Sequence, residues 1–133
     1  MGAVPELSED LTVVEAWHGV LECHARVWGA LEKALQRDHG LGVSEFEVLE
    51  RLATTAGDCR MQELAGVVHL SQSALSRLVG RLEADGLVHR SMCADDRRGI
   101  FACLTDEGRA RYEAARPTQR TVLAETLGAG AAG

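Results

Sequence analysis

The chain has 133 residues, of which 46% are apolar and 26% charged, and its formal net charge is −6; this is the balance of a single domain folded around one core. No run of roughly 18 apolar residues exists to span a bilayer, and the acidic start Met1-Gly2-Ala3-Val4-Pro5-Glu6 has neither the basic nor the apolar region of a signal peptide, so a cytoplasmic protein with no membrane partner is expected. Residues 1–59 hold 11 acids and 4 bases, whereas residues 60–133 hold 9 acids and 10 bases, which confines any surface for an anionic partner to the second half.

A first helix is expected from Ser8, an N-cap residue followed by Glu9 and Asp10, to Gly40, which suits the left-handed position after a helix. Its large side chains Val14, Trp17, Leu21, His24, Trp28, Leu31 and Leu35 recur in alternating steps of three and four. That is the seam of a helix packed lengthwise on others, and a second subunit can supply the partner. Ser44 and Glu47 have the spacing of a capping box, with Phe46, Val48, Leu49 and Leu52 forming an apolar face to about Thr55. After a Gly57-Asp58 turn, a short helix from Gln62 to Val68 precedes one opened by Ser71, in which Leu75, Leu78, Val79 and Leu82 share a face. Two short helices so joined make a helix-turn-helix. Gly86 ends the second. The stretches Leu87 to Met92 and Ile100 to Leu104 then read as a β-hairpin with a polar tip, Ala94 to Gly99. Thr105 caps a further helix with Asp106 and Glu107 in its first turn, Pro117 is expected to break it and open a last short helix, and residues 128–133 read as a flexible Gly/Ala tail. The fold class is mainly α with a small antiparallel β-hairpin, arranged as a winged helix-turn-helix with flanking helices.

With Leu75, Leu78, Val79 and Leu82 inward, the helical period turns Gln72, Ser73, Ser76, Arg77, Gly80 and Arg81 outward. Such a face suits a DNA major groove: Gln72, Ser73 and Arg77 are the candidates for base edges, and Ser71, Ser76 and Arg81 for phosphates. Arg97 and Arg98 at the hairpin tip are placed to reach the neighbouring minor groove, with Asp96 orienting Arg98 by a charge-assisted hydrogen bond. The bland alternative is a set of ordinary solvated arginines.

The sequence resembles the multiple antibiotic resistance regulator (MarR) family. The resemblance lies in Leu64-Ala65, in Leu70-Ser71-Gln72-Ser73-Ala74-Leu75-Ser76-Arg77-Leu78-Val79 with Arg81-Leu82-Glu83, in Gly86-Leu87-Val88-His89-Arg90, and in Asp96-Arg97-Arg98-Gly99 with Leu104-Thr105-Asp106-Glu107-Gly108 downstream. It runs from Val27 to Val122. It implies a homodimer on a pseudo-palindromic operator in double-stranded DNA, acting as a repressor released by a small, often aromatic, effector or by an oxidant. It also implies a division of the chain: a helical dimerisation region over residues 8–38 and 105–127, and a winged-helix DNA-binding lobe over 44–104. The family pattern continues beyond the segment resembling Pro117 to Leu127 with another amphipathic helix, where this sequence has Gly128 to Gly133. Three outcomes are therefore open for the dimer: it is held by the first helix and the Thr105 to Leu127 region alone, it is weaker than usual, or it forms differently.

Trp17, His24 and Trp28 share one side of the first helix, where they would either line a pocket for an aromatic effector or pack in an interface, and packing weighs more because two Trp bury large areas unaided. The histidines His18, His24, His39, His69 and His89 form no recognisable metal pair, and neither metal nor cofactor is expected. Cys23, Cys59, Cys93 and Cys103 include no CxxC pair and read as reduced, mostly buried thiols. Cys23 lies past the position of the peroxide-sensing thiol that some members of the family carry, so a redox-sensing regulator is a weaker alternative. Cys93 and Cys103 are out of register for a disulfide across the hairpin. Phosphate loops, nucleophile elbows and HExxH helices are absent from the sequence, which points away from an enzyme. The rival from another class is a winged-helix module used for protein contacts, with its DNA binding lost.

Overall fold

The computed structural model describes residues 3–55, 58–92 and 99–128, with residues 3–9 as backbone only. In chain order the elements are α1 (Ala3–His39), α2 (Val43–Thr54), β1 (Cys59–Arg60), α3 (Met61–Val68), α4 (Gln72–Ala84), β2 (Val88–Met92), β3 (Ile100–Leu104) and α5 (Asp106–Leu123), closed by a π-helical turn, Ala124–Gly128.

The 37 residues of α1 make a rod of roughly 55 Å at 1.5 Å per residue. It starts ahead of Ser8, which lies inside the helix and is not its cap. Pro5 permits this, because a first-turn N–H has no intrahelical partner to lose. Gly40, at φ +65°, ends the rod in a conformation that costs a residue with a Cβ. Among its described side chains, α1 enters the core in its C-terminal half, through Leu31, Ala34 and Leu35 with Val27 against them.

α2 begins one residue earlier than Ser44 and is capped differently from expectation. Gly42 is the N-cap, and its N–H donates to Glu45 Oε1 at 2.7 Å, while Val43 N–H donates to Glu32 Oε1 of α1 at 2.9 Å. Two carboxylates thus satisfy the helix start, one local and one tertiary, and Ser44 and Glu47 are not needed there. Phe46, Val48, Leu49 and Leu52 are buried as expected.

The sheet has three strands in the order β1-β3-β2, all antiparallel, and not two. β3 pairs with β2 from Val88 opposite Leu104 to Met92 opposite Ile100, and with β1 through Cys59 opposite Ala102 and Arg60 opposite Phe101. A two-residue strand has no periodicity to read, which is why β1 is silent in the sequence. Thr105 links the sheet to α5: its hydroxyl accepts from Gly108 N–H at 3.0 Å and donates to the Gly86 carbonyl at 2.7 Å.

Pro117 does not break α5, which runs through it to Leu123. Tyr112, Ala115 and Gln119 are buried on either side of it at helical spacing, and Pro117 itself is exposed. The lost hydrogen bond therefore faces water, while packing on α1 and α2 holds the axis.

Candidate nucleic-acid interface

The turn between α3 and α4 aims α4 outward. His69 takes the left-handed conformation at φ 59°, and Leu70 N–H donates to the Ala65 carbonyl at 3.0 Å, so the chain turns from α3 into α4 within three residues, His69 to Ser71. Ser71 caps α4, its Oγ accepting from Ala74 N–H at 3.2 Å, and lies 3.3 Å from Ser73 Oγ. Leu75, Leu78, Val79 and Leu82 are buried, while Gln72, Ser73, Ser76, Arg77 and Arg81 are exposed and Gly80 is half-buried. The inward and outward faces are those the period dictates.

The two edges of this face differ. On one, Gln72 Nε2 reaches the Gln62 carbonyl at 3.5 Å, and Gln72 lines a cleft of about 300 Å³ with Arg60, Gln62, Gly99 and Ile100. On the other, Arg77 and Arg81 border a groove of about 760 Å³ that also contains Glu32 and Glu45. Those carboxylates are committed to the start of α2 and make that groove mixed in charge. The part of α4 best suited to a polyanion is therefore its N-terminal turn, where the helix dipole also helps.

α4 and the sheet are held together by an arginine. Arg90 on β2 donates from its backbone N–H to Glu83 Oε2 at 3.0 Å and from Nε to Glu83 Oε1 at 3.1 Å; its guanidinium also lies 3.4 Å from Ser76 Oγ. The backbone bond and then the guanidinium hold the Glu83 carboxyl below its usual range. A fork of this kind fixes orientation as well as distance, and it ties β2 to α4 beside its outward face. Neither Glu83 nor Arg90 was legible as a site residue from spacing, because they meet across the Gly86 turn. Asp96, Arg97 and Arg98 of the hairpin tip, and Cys93, lie outside the described residues.

A second polar cluster ties this lobe to α5. Tyr112 OH donates to Glu50 Oε1 at 2.9 Å, and Arg120 Nη2 pairs with the same oxygen at 2.6 Å. Glu47, one turn away and half-buried, has its carboxyl pushed up by burial and then by the Glu50 charge.

Along α1 the structure separates the aromatic residues. His24 and Trp28 stack with centroids 5.4 Å apart and line an apolar hollow of about 350 Å³ with Val20, Cys23, Val27, Leu31 and Leu127; Trp17 does not line it and is 57% exposed. Burial pushes the thiols of Cys59 and Cys103 up, away from the thiolate that oxidation requires. Cys103 lies opposite His89 in the sheet.

The model of the MarR family matches residues 41–100. Among curated proteins the chain is similar to the HTH-type transcriptional regulator MhqR of Bacillus subtilis, 36% identical over 70 residues that cover 53% of this chain and 48% of the relative; the chain spans about half the length of the curated relatives it matches. Two solved structures from Streptomyces coelicolor resemble it over more of their length. AbsC, a MarR family transcriptional regulator, superposes with a TM-score of 0.78 at 35% identity, over 84% of this chain and 75% of AbsC. Sco3205, another MarR family regulator and one solved in complex with DNA, gives 0.80 at 34% identity, over 84% of this chain and 71% of its own. The winged helix-turn-helix, the Ser71-capped helix and these likenesses agree, and the chain belongs to the MarR family.

Proposed function

We propose that the chain is a sequence-specific, DNA-binding regulator of transcription that acts as a homodimer on a pseudo-palindromic operator, as a repressor released by a small-molecule effector. The observation that carries the reading is the outward face of α4, small, polar and cationic, locked to the sheet by the fork between Glu83 and Arg90. In this reading Gln72, Ser73 and Arg77 contact base edges in the major groove. Ser71, Ser76 and Arg81 contact phosphates, and Arg97 and Arg98 enter the minor groove with Asp96 orienting Arg98.

The homodimer is supported by α1. Leu11, Val13, Val14, Trp17, Val20 and Leu21 are all at least 40% exposed, with Trp28 at 39%, a run of apolar surface that water disfavours and a two-fold partner would cover. His24 and Trp28 provide a flat apolar wall of the kind an aromatic effector requires. Release would follow if that ligand bound the two dimer conformations unequally.

The test is binding to a duplex from the DNA upstream of the chain's own gene against a scrambled duplex, at two salt concentrations, with the mass of the protein measured in the same buffer. Tight, selective, salt-sensitive binding by a dimer is expected. Equal and salt-insensitive binding to both duplexes would instead make the winged helix a protein-contact module.

A further inference from the structure

Arg60 has no place in the reading above. It is the second residue of β1, opposite Phe101 of β3, and its guanidinium carbon stands 5.4 Å from the centre of the Phe101 ring. It lies beside Gly99, where the hairpin tip ends and β3 follows: a Cβ built on Gly99 would stand 3.8 Å from Arg60 Nη1. Arg60 also shares the 300 Å³ cleft with Gln62 and Gln72. A cation is thus fixed between the N-terminal turn of α4 and the root of the wing. Any duplex that lays its major groove on α4 and its minor groove on the wing must carry a phosphodiester strand across this cleft. Arg60 is the cationic member of that lining. Stacking on a ring engages the flat face of a guanidinium, while phosphate is bound along its edge, so the two contacts are geometrically compatible.

We propose that Arg60, seated on Phe101, is a phosphate-contacting residue that fixes the register of the wing against α4 on DNA. The inference rests on α4 being the major-groove helix. The chemistry is a charge-assisted hydrogen bond to a non-bridging phosphate oxygen, without base preference.

The experiment measures binding of the full chain and of Arg60→Ala, Arg60→Lys and Phe101→Leu to a scrambled duplex and to the upstream duplex between 50 and 200 mM salt, with thermal unfolding of each variant. One lost phosphate contact lowers the salt slope by about 0.9, so Arg60→Ala should lose roughly threefold less affinity than the parent across that range. It should weaken both duplexes by the same factor. Arg60→Lys should keep the slope, and Phe101→Leu should keep the slope but bind more weakly, since the charge remains and its seat is gone. A single methylphosphonate on the strand crossing the cleft should weaken the parent and leave Arg60→Ala unchanged. An unchanged slope in Arg60→Ala, or loss confined to the upstream duplex, would overturn the proposal, the first making Arg60 structural and the second a base reader. Because the slope is read on scrambled DNA, failure of sequence-specific regulation would appear separately, as equal binding of the parent to both duplexes. A parent that binds neither duplex would overturn both readings.

Discussion

Gln72 and Arg77 lie more than one turn apart on the outward face of α4 and meet different surroundings, and this should separate their effects. Gln72 is on the edge beside α3 and the cleft, close to the Gln62 carbonyl, and in the proposed reading its amide contacts a base edge. A bidentate amide contact is worth about 1–3 kcal/mol of discrimination, so Gln72→Ala should lose preference for one or two base pairs while keeping its affinity for scrambled DNA. Competition binding against single-base operator variants reads this directly; a uniform loss over all variants would show that Gln72 reads no base. Another residue-scale consequence concerns Glu47. Its folded pKa is raised above the ordinary 4.5 by burial and by Glu50, against the pull of Arg120. The fold therefore favours the protonated carboxyl. The resulting stability is fully present below the unfolded pKa and is lost as pH rises through the raised folded value. Glu47→Gln should accordingly raise the midpoint of thermal unfolding at pH 7, and the gain should vanish as pH falls below the ordinary carboxylate range. A variant no more stable than the parent at pH 7 would show that Arg120 outweighs the burial.

Among the elements, the junction between the sheet and α5 is the least tolerant of added volume. Gly108 lies in the first turn of α5 and is buried, and a Cβ there would run into the Leu87 carbonyl and the Leu104 side chain. Backbone cannot yield as a side-chain tip does. Gly108→Ala should thus cost about 1–3 kcal/mol or more, seen as a lower denaturation midpoint with an unchanged slope, whereas Gly66→Ala, in open space on α3, should be neutral or better. Equal stability of the two variants would disprove the argument. The elements also show what could be read in advance. α4 was legible in full because its cap, its four core positions and its polar face all follow from one period. The start of α2 was not, because its second cap comes from Glu32 on α1, a tertiary contact that local spacing does not encode. The α5 helix outlasts Pro117 for a similar reason, since packing through Tyr112, Ala115 and Gln119 overrides a local breaker. Of the site, the α4 residues were visible, but Arg90 and Arg60 depend on strand pairing, and pairing of β1 leaves no mark on two residues.

At the scale of the whole molecule, the stretch of α1 from Asp10 to Arg26 lies outside the core. The buried contacts of α1 begin at Leu31, with Val27 packed alongside, yet the helix extends back to Ala3. In proteins most of a helix's stability comes from packing of its apolar face and not from propensity, and this stretch has no such packing on the core of the described chain. Trp17, at 57% exposure, and Leu21, at 44%, lie one turn apart on the surface a partner would cover, and burying large apolar side chains stabilises by about 1.5–3 kcal/mol each. A carboxylate at this point, covered by a partner without a counter-charge, would cost several kcal/mol instead. Trp17→Glu should therefore convert a dimer to a monomer by sedimentation. The unfolding of the lobe around Phe46 and Leu75 should change little, because Trp17 is outside that core. DNA binding then follows from the arithmetic of linked sites: each lobe keeps its own phosphate and base contacts, but the second half-site no longer benefits from effective concentration. Affinity for a two-half-site duplex should fall by about 10²–10⁴, while affinity for a single half-site should stay near that of the parent. If Trp17→Glu remained dimeric and bound the full duplex normally, the projecting half of α1 would not be the interface, and the two lobes would have to be joined through α5 and the Ala124–Gly128 turn instead.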